Sequence, residues 1–372
     1  MDSGDKLYIW EQNDWPHLQY DMRRLAGLLA HVHRIQGHLH GRMDNIGMGL
    51  RERASLQAMS DDVIKSSEIE GEQLNPATVR SSIARRMGVD VGALAPADRH
   101  VDAIVDMMLD ATRNYDQTLT VERLYGWHAA LFPTGYSGLH KINVGAWRND
   151  ASGPMQVVSG PIGRGKIHYQ APPANRVDIE INRFLSWFNT QQEPDLIVKA
   201  GLAHLWFVTI HPFDDGNGRI TRAIGDMALA RAENSPDRFY SLSAQIQKER
   251  ADYYDILERT QKMSLDVTNW LEWFLGCLTR AIISAEGTLD IVLAKARFWQ
   301  HCAGTPMNDR QVKILNRLLD GFDGKLTNKK WSVIAKCSSD TALRDITDLL
   351  ERDVLVKIGA GRSTSYELKK EI

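Results

Sequence analysis

Residues 211–222 read HPFDDGNGRITR, and they follow fifteen residues, Leu196–Ile210, that are apolar nearly all round. A helix apolar on every side must lie inside the molecule. The charged, glycine-rich stretch after it must therefore sit at the end of a buried helix. His211-Pro212 ends that helix, because the residue before a proline is pushed out of the helical region. Gly216-Asn217-Gly218 permits unusual backbone angles and lets main chain approach a ligand closely. A second helix starts near residue 218, with Ile220, Ala223, Ile224, Met227 and Ala228 as its buried stripe. Arg219, Arg222 and Asp226 fall on another face.

Free N–H groups at the start of that second helix form an anion site. The two arginines add fixed positive charge beside it. This is a phosphate cradle of a different kind from G-x-x-x-x-G-K-[ST]. Asp215 is a hard oxygen ligand next to the cradle, suited to a magnesium ion shared with phosphates. His211 is the one nearby group able to take a proton at neutral pH. Phosphate cradle, metal ligand and base are the parts that attack on phosphorus requires.

The rest of the chain sets the frame. Its 372 residues suit roughly two or three domains and a sizeable core. A net charge of -2 gives no global argument for a nucleic-acid or anionic-membrane partner. Cys277, Cys302 and Cys337 lie far apart, match no metal spacing and fit a reducing compartment. The start, MDSGDKLYIW, lacks the pattern of a secretory leader, and no eighteen-residue apolar run occurs. The expectation is a cytoplasmic protein without a membrane partner.

Helical spacing is read over residues 20–40, 98–114, 121–131, 178–190, 196–210, 251–263 and 268–299. Strand signals concentrate in 148–172, where MQVVSG and KIHYQ flank Pro161, Gly163 and Gly165 as a small hairpin. Residues 301–309 read as a linker. His31, His33, His38 and His40 cluster in sequence, but 31 and 33 fall on different helix faces, so they read as solvated or hydrogen-bonded.

Every fixed position of H-P-F-x-[D/E]-G-N-G-R-x-x-R is matched by His211 to Arg222. By this motif the chain resembles the Fic family, in particular those domains that transfer AMP from ATP to protein hydroxyls. The resemblance extends over about residues 1–300, since YIWEQNDWPHLQYD is similar to the region ahead of Fic domains in a bacterial subset. It implies a mainly α fold: a Fic-type helical core with a β-hairpin flap. The implied domains are an N-terminal helical region at 1–95 and the Fic core at 96–300.

The resemblance also implies roles. His211 would deprotonate the hydroxyl of a target Ser, Thr or Tyr, whose oxygen attacks the α-phosphorus of ATP as pyrophosphate leaves. Asp215 would hold Mg2+. Gly216, Asn217 and Gly218 would form the anion hole, with Asn217 also orienting a phosphate. Arg219 would contact the phosphate tail and Arg222 the γ-phosphate. Phe213 would anchor the loop from beneath, and Asp214 would be solvated. The flap edge at 155–160 would pair with an extended segment of the target protein, with Val157 and Val158 near the nucleotide. Tyr253, Tyr254 and Gln261 sit where relatives carry the adenine pocket, although aromatic residues there suit helix core equally well.

SSEIEG, at 66–71, resembles the family's inhibitory motif through Ser66, Glu70 and Gly71. Ser60-Asp61-Asp62 reads as the start of that helix and Gly71 as its stop. Glu70 then lies on the last turn, where the helix dipole disfavours a carboxylate unless a cation is near. The resemblance names Arg222 as that cation, which would keep it from the γ-phosphate. In some relatives the same glutamate helps remove AMP. Homodimerisation is a further family-level expectation.

From residue 305 to 372 the order helix, helix, helix, hairpin resembles a winged helix, with Ser338-Ser339-Asp340 capping its second helix. Residues 310–372 carry a net charge of +4. Thr341 and Arg344 would face a DNA groove, while docking of protein is the other use of such a module. Two rival readings stay open at this point: transfer of another nucleotide or a phosphoryl group, and a nucleotide-sensing DNA-binding regulator. Retention of His211 argues against pure sensing, since binding alone needs no base.

Overall fold

The computed structural model describes residues 8–90, 94–151, 153–160, 165–190, 193–319, 322, 324–361 and 364–369. In chain order the helices and strands are α1 (Met22–Asp44), α2 (Met48–Ile69), α3 (Pro76–Met87), α4 (Arg99–Arg113), α5 (Val121–Leu131), β1 (Tyr136–Ser137), β2 (His140–Lys141), β3 (Gln156–Ser159), β4 (Lys166–Gln170), α6 (Val177–Phe188), α7 (Leu196–Ile210), α8 (Asn217–Glu233), α9 (Leu242–Lys248), α10 (Arg250–Gln261) and α11 (Thr268–His301), then α12 (Asp309–Leu319), α13 (Asn328–Ala335), α14 (Ser339–Glu351), β5 (Leu355–Ile358) and β6 (Ser365–Leu368). Two compact units emerge, Met1–Ala285 and Glu286–Ile372. The strands form three antiparallel two-stranded pairs, so the fold is mainly α.

The first unit is built around α7. Asp195 caps it, accepting from the N–H groups of Ile197 and Val198. Every residue from Ile197 to Ile210 is buried. At Gly201 a Cβ would stand 2.8 Å from Leu271, so this glycine lets α11 come close, and Trp270 Nε1 donates to its carbonyl at 2.8 Å. α8 lies back along α7 after the loop at 211–216, which makes the pair an antiparallel hairpin of buried helices.

α2 corrects one sequence expectation. It begins at Met48, so Ser60-Asp61-Asp62 lies in its middle and caps nothing. Asp62 is buried and accepts from the Ser241 hydroxyl at 2.6 Å and the Ser243 N–H at 3.1 Å. Ser60 Oγ donates back to the Leu56 carbonyl at 2.6 Å. Polar residues that resemble a cap fix this helix to its neighbours instead. Gly71 does stop it, with φ at 84°. Among the N-terminal histidines, His33 meets Asp195 at 2.7 Å and His31 meets Arg34 at 3.2 Å in hydrogen bonds, while His40 lies 3.4 Å from the Glu233 carboxylate. Among the described residues no group of three His, Cys, Asp or Glu is placed to hold a metal, and no helix is long and apolar enough to cross a membrane.

The second unit has its own core of Ile314, Leu315, Trp331, Ile346, Leu349 and Tyr366. Ser338 caps α14, accepting from Thr341 N–H at 3.1 Å. β5 and β6 pair from Leu355↔Leu368 to Ile358↔Ser365. Residues 301–309 are less of a linker than the sequence suggests. α11 runs to His301, a 3-10 turn covers Cys302–Gly304, and Cys302 is buried in this core. Thr341 is partly buried with its hydroxyl 2.9 Å from that of Ser338, and Arg344 is exposed. Of the residues expected in the turn between β3 and β4, Pro161 and Gly163 lie outside the described residues.

Candidate functional site

α7 delivers His211 to the edge of a cavity of about 600 Å³. His211 adopts left-handed angles, φ 51° and ψ 59°, rather than the extended form expected before proline. A non-glycine residue holds that conformation only when its surroundings impose it. Arg148 does so: its Nε donates to the His211 carbonyl at 2.7 Å, its Nη2 to Pro172 O, and its N–H to the Pro212 carbonyl at 2.9 Å. Sequence reasoning missed Arg148, because nothing local marks its partners 24 and more residues away.

The His211 Nδ1 lies 3.2 Å from the Val208 carbonyl, which can only accept, so Nδ1 carries the proton and Nε2 is left basic. Burial lowers its pKa from the ordinary histidine value, so the ring is neutral at pH 7. It is placed as a proton acceptor.

The loop beneath is held by side chains. Phe213 is fully buried and stacks on His128 with centroids 4.2 Å apart. Burial pushes His128 down to about 4, so it too is neutral, and its Nδ1 accepts from the Gly145 N–H at 3.1 Å. Asn217 closes the loop on itself: Oδ1 accepts from Phe213 N–H at 2.9 Å and Nδ2 donates to the Phe213 carbonyl at 2.8 Å. Its side chain thus holds the loop, with a second Nδ2 proton beyond the one given to Phe213. Asp214 is not simply solvated, since it accepts from the main-chain and side-chain nitrogens of Asn143 at 2.8 and 2.9 Å. Asp215 lines the cavity, accepting from the Ser137 hydroxyl and from Gly216 N–H at 2.6 Å. One carboxylate without a second protein ligand fits an ion held mostly by phosphate oxygens and water.

Gly216, at φ 79°, starts α8. Here the structure brings α2 to the cradle. Arg222 donates from Nη2 to Glu70 at 2.8 Å and to the Ser66 carbonyl at 2.9 Å, and from Nε to Ser66 Oγ at 2.8 Å. The Glu70 carboxylate lies so close over Gly218 that a Cβ there would collide with it. A carboxylate therefore sits at the N-terminus of α8, where the orphan N–H groups favour an anion. Sequence reasoning missed Glu72. It accepts from Arg219 at 2.8 Å and from His100 Nε2. The ion pairs lower Glu72 and raise His100, in each case chiefly through their mutual hydrogen bond. Its signal was present, a second acid just past the helix stop.

The opposite wall is the hairpin β3–β4 and α10. Val157 faces Tyr169 and Val158 faces Ile167, with a register shift between them, and Val158 is half-exposed. Tyr253, Tyr254 and Gln261 all line the cavity. Tyr253 and Gln261 are buried, with Tyr253 Oη 2.9 Å from His204 Nε2 and Gln261 Nε2 3.3 Å from Thr209 Oγ1. They serve as core and wall together. A further network missed from sequence ties the hairpin to α10: Ser159 Oγ lies 2.5 Å from His168 Nε2, and His168 Nδ1 2.5 Å from Glu258.

A buried helical hairpin thus carries a neutral histidine, an anion cradle and a cavity of nucleotide size on one domain. Comparison with known proteins gives the class. Residues 118–229 match the Fic/DOC family, and residues 8–89 match a domain of unknown function, DUF4172. The chain thus carries a Fic/DOC match over residues 118–229 and is similar to curated proteins described as protein adenylyltransferase Fic. A protein adenylyltransferase Fic from Aedes aegypti is 28% identical over 252 residues, covering 65% of this chain and 43% of that protein. One of the same description from Drosophila mojavensis is 26% identical over 246 residues, covering 65% and 42%. The chain thus spans less than half the length of these relatives. Among solved structures, a Fic family protein from Desulfovibrio desulfuricans G20 matches over 94% of this chain and 96% of its own, with 20% identity and a TM-score of 0.53. A Fic domain containing signaling protein from Bacteroides thetaiotaomicron VPI-5482 matches over 68% of this chain and 96% of its own, with 17% identity and a TM-score of 0.51. These likenesses share the fold.

Proposed function

We propose that this chain is a protein adenylyltransferase, a nucleotidyltransferase that moves AMP from ATP to a Ser, Thr or Tyr hydroxyl of a protein and is held in check by its own Glu70. The observation that carries the reading is the Glu70 carboxylate lying over Gly218 and paired with Arg222, in the place an anionic phosphate would take. The adenylyltransferase names of the relatives support AMP as the transferred group.

In this reading the target hydroxyl gives its proton to His211 Nε2, its oxygen bonds to the α-phosphorus, and the bond to the β-phosphate oxygen breaks with pyrophosphate leaving. The α8 N-terminus and Arg222 receive the phosphates once Glu70 withdraws, and Arg219 holds the phosphate tail once released from Glu72. Mg2+, held by Asp215 and phosphate oxygens, would neutralise charge on the leaving group. The target's extended segment would add to the edge of β3 at 155–160, in a largely main-chain docking. Tyr253, Tyr254 and Gln261 would wall the adenine. Removal of AMP with the help of Glu70, a homodimer, a cytoplasmic setting and a winged-helix role for the second unit belong to the same proposal.

The test is intact mass after incubation with ATP and Mg2+, for wild type, Glu70→Gly, and Glu70→Gly with His211→Ala. Adducts of one AMP per modified hydroxyl are expected, most abundant in Glu70→Gly and absent in the double variant. Absence of any adduct from protein that binds ATP would overturn the reading.

A further inference from the structure

A second pocket, of about 270 Å³, lies at the other end of the α7–α8 hairpin, some 20 Å from His211 by the length of α7. Lys199, near the start of α7, and Arg231, near the end of α8, both line it. Lys199 is only 5% exposed. Its Nζ donates to the carbonyls of Trp187, at 2.9 Å, and Thr190. Arg231 donates to the carbonyls of Tyr115 at 2.6 Å, Gln117 at 2.9 Å and Phe188 at 3.1 Å. Among the described residues neither cation has a carboxylate within 4.0 Å. Carbonyl dipoles satisfy N–H directions, and the Trp187 and Phe188 rings lie 4.9 Å from Lys199 and 4.5 Å from Arg231, but no ion pair balances these two like charges in a partly desolvated space.

The charges bear on one another. Burial, then Arg231, lowers Lys199 to about 8, while burial, then Arg123, lowers Arg231 to about 10. Arg123 is itself answered by Asp110 at 2.7 Å. Of the acids that raise them, one is engaged and the other lines the pocket. Glu193 accepts from Tyr20 Oη at 2.9 Å and Trp187 Nε1 at 3.1 Å, and Asp116 is exposed at the mouth. The remaining wall is mixed: Thr118, Thr190, Asn189 and Asn234 are polar, and Phe188, Leu196 and Ala228 are apolar.

We infer that this pocket is a binding site for a small oxyanion of the phosphate class, held between Lys199 and Arg231. A tetrahedral oxyanion accepts from the third Lys199 proton, from the unused guanidinium protons of Arg231 and from the Thr118 hydroxyl, the Thr190 hydroxyl being already donated to the Trp187 carbonyl. The volume admits inorganic phosphate or a small phosphomonoester and excludes a nucleotide. The inference is independent of the activity proposed above.

The test uses the full chain and reads Tm at pH 7 and constant ionic strength, as chloride is exchanged for inorganic phosphate or for ribose 5-phosphate. Phosphate at saturation is expected to raise Tm by about 4 °C over chloride. Asn234→Asp places a carboxylate in the pocket on a left-handed residue that tolerates Asp. This variant is expected to gain most of that shift without added anion and to respond no further. Thr118→Glu, at an exposed position, is expected to do the same. A shift with both anions assigns the site to phosphomonoesters, and a shift with phosphate alone assigns it to the free ion. Equal Tm in chloride and phosphate, or a phosphate shift that survives both substitutions, would overturn the inference. The survival outcome would assign the bound anion to the α8 N-terminus.

Discussion

The two ends of the α7–α8 hairpin treat positive charge in opposite ways. At the end that carries His211, each arginine meets a carboxylate from the same chain: Arg222 meets Glu70, and Arg219 meets Glu72. At the other end Lys199 and Arg231 meet carbonyl oxygens and the ring faces of Trp187 and Phe188. At one end each cation is ion-paired within the chain, and at the other neither is, although Asp116 lines the pocket. The contrast teaches that a cluster of buried cations is legible only through its partners. Where acids from a distant helix fill the cradle, the site can be held off without a ligand. Where none does, the charge stays open to an anion from solution.

Substitutions at the first end sharpen this contrast. The largest effect belongs to the base. In the Glu70→Gly background, His211→Ala is expected to cut the rate of AMP-adduct formation by about 10²–10⁴-fold, read by intact mass. Next comes Glu70, the brake of the proposed activity. Glu70→Gly alone removes a charge-assisted bond to a buried guanidinium, so adduct formation is expected to rise about 10–100-fold over wild type. A wild-type rate equal to that of the variant would break the comparison. Asn217→Ala removes two bonds to the Phe213 main chain and is expected to cost about 1–2 kcal/mol, measured by denaturant unfolding.

The smallest effect is at Glu72, whose ion pair is partly exposed. Glu72→Gln is expected to raise adduct formation only about two- to fivefold. It carries a pH signature. Glu72 is lowered from 4.5, so its contribution is present above that value and lost as pH falls through its lower folded one. His100 is raised from 6.5, so its contribution is full below 6.5 and lost as pH rises through its higher folded value. The clamp on Arg219 is therefore strongest between about pH 4.5 and 6.5. Basal adduct formation is expected to climb as pH rises above that window, and His100→Gln is expected to flatten the climb. His211 is lowered by burial, so its own titration lies below the ordinary histidine value.

Much of this architecture could be read from residues alone. The apolar run of α7 and the loop after it gave the central hairpin, because a helix buried on all sides announces itself without reference to neighbours. Glu70 was legible through the resemblance of SSEIEG to the family's inhibitory motif, with Gly71 as the helix stop. The beginning of α2 was misread, because Ser60 and Asp62 have the chemistry of a cap while their partners, Leu56 and Ser241, make them interior. Arg148 and His128 were not legible at all. Each acts on the 211–217 loop from another segment, through contacts that leave no periodic trace in sequence. Lys199 was invisible for a related reason, as one charge inside an otherwise apolar helix.

The nearness of Glu70 to Gly218 has a kinetic meaning. A carboxylate fixed to the end of a rigid helix is a tethered competitor, and tethering gives it a high effective concentration, on the order of millimolar or above. A free nucleotide that seeks the same N–H groups must outbid that local concentration rather than an absent rival. On the activity proposed here, the response to nucleotide would be set less by the cradle's own affinity than by how firmly α2 is docked. Residues far from the phosphates, such as Asp62 against Ser241 and Ser243, would then tune the threshold at which the enzyme turns on.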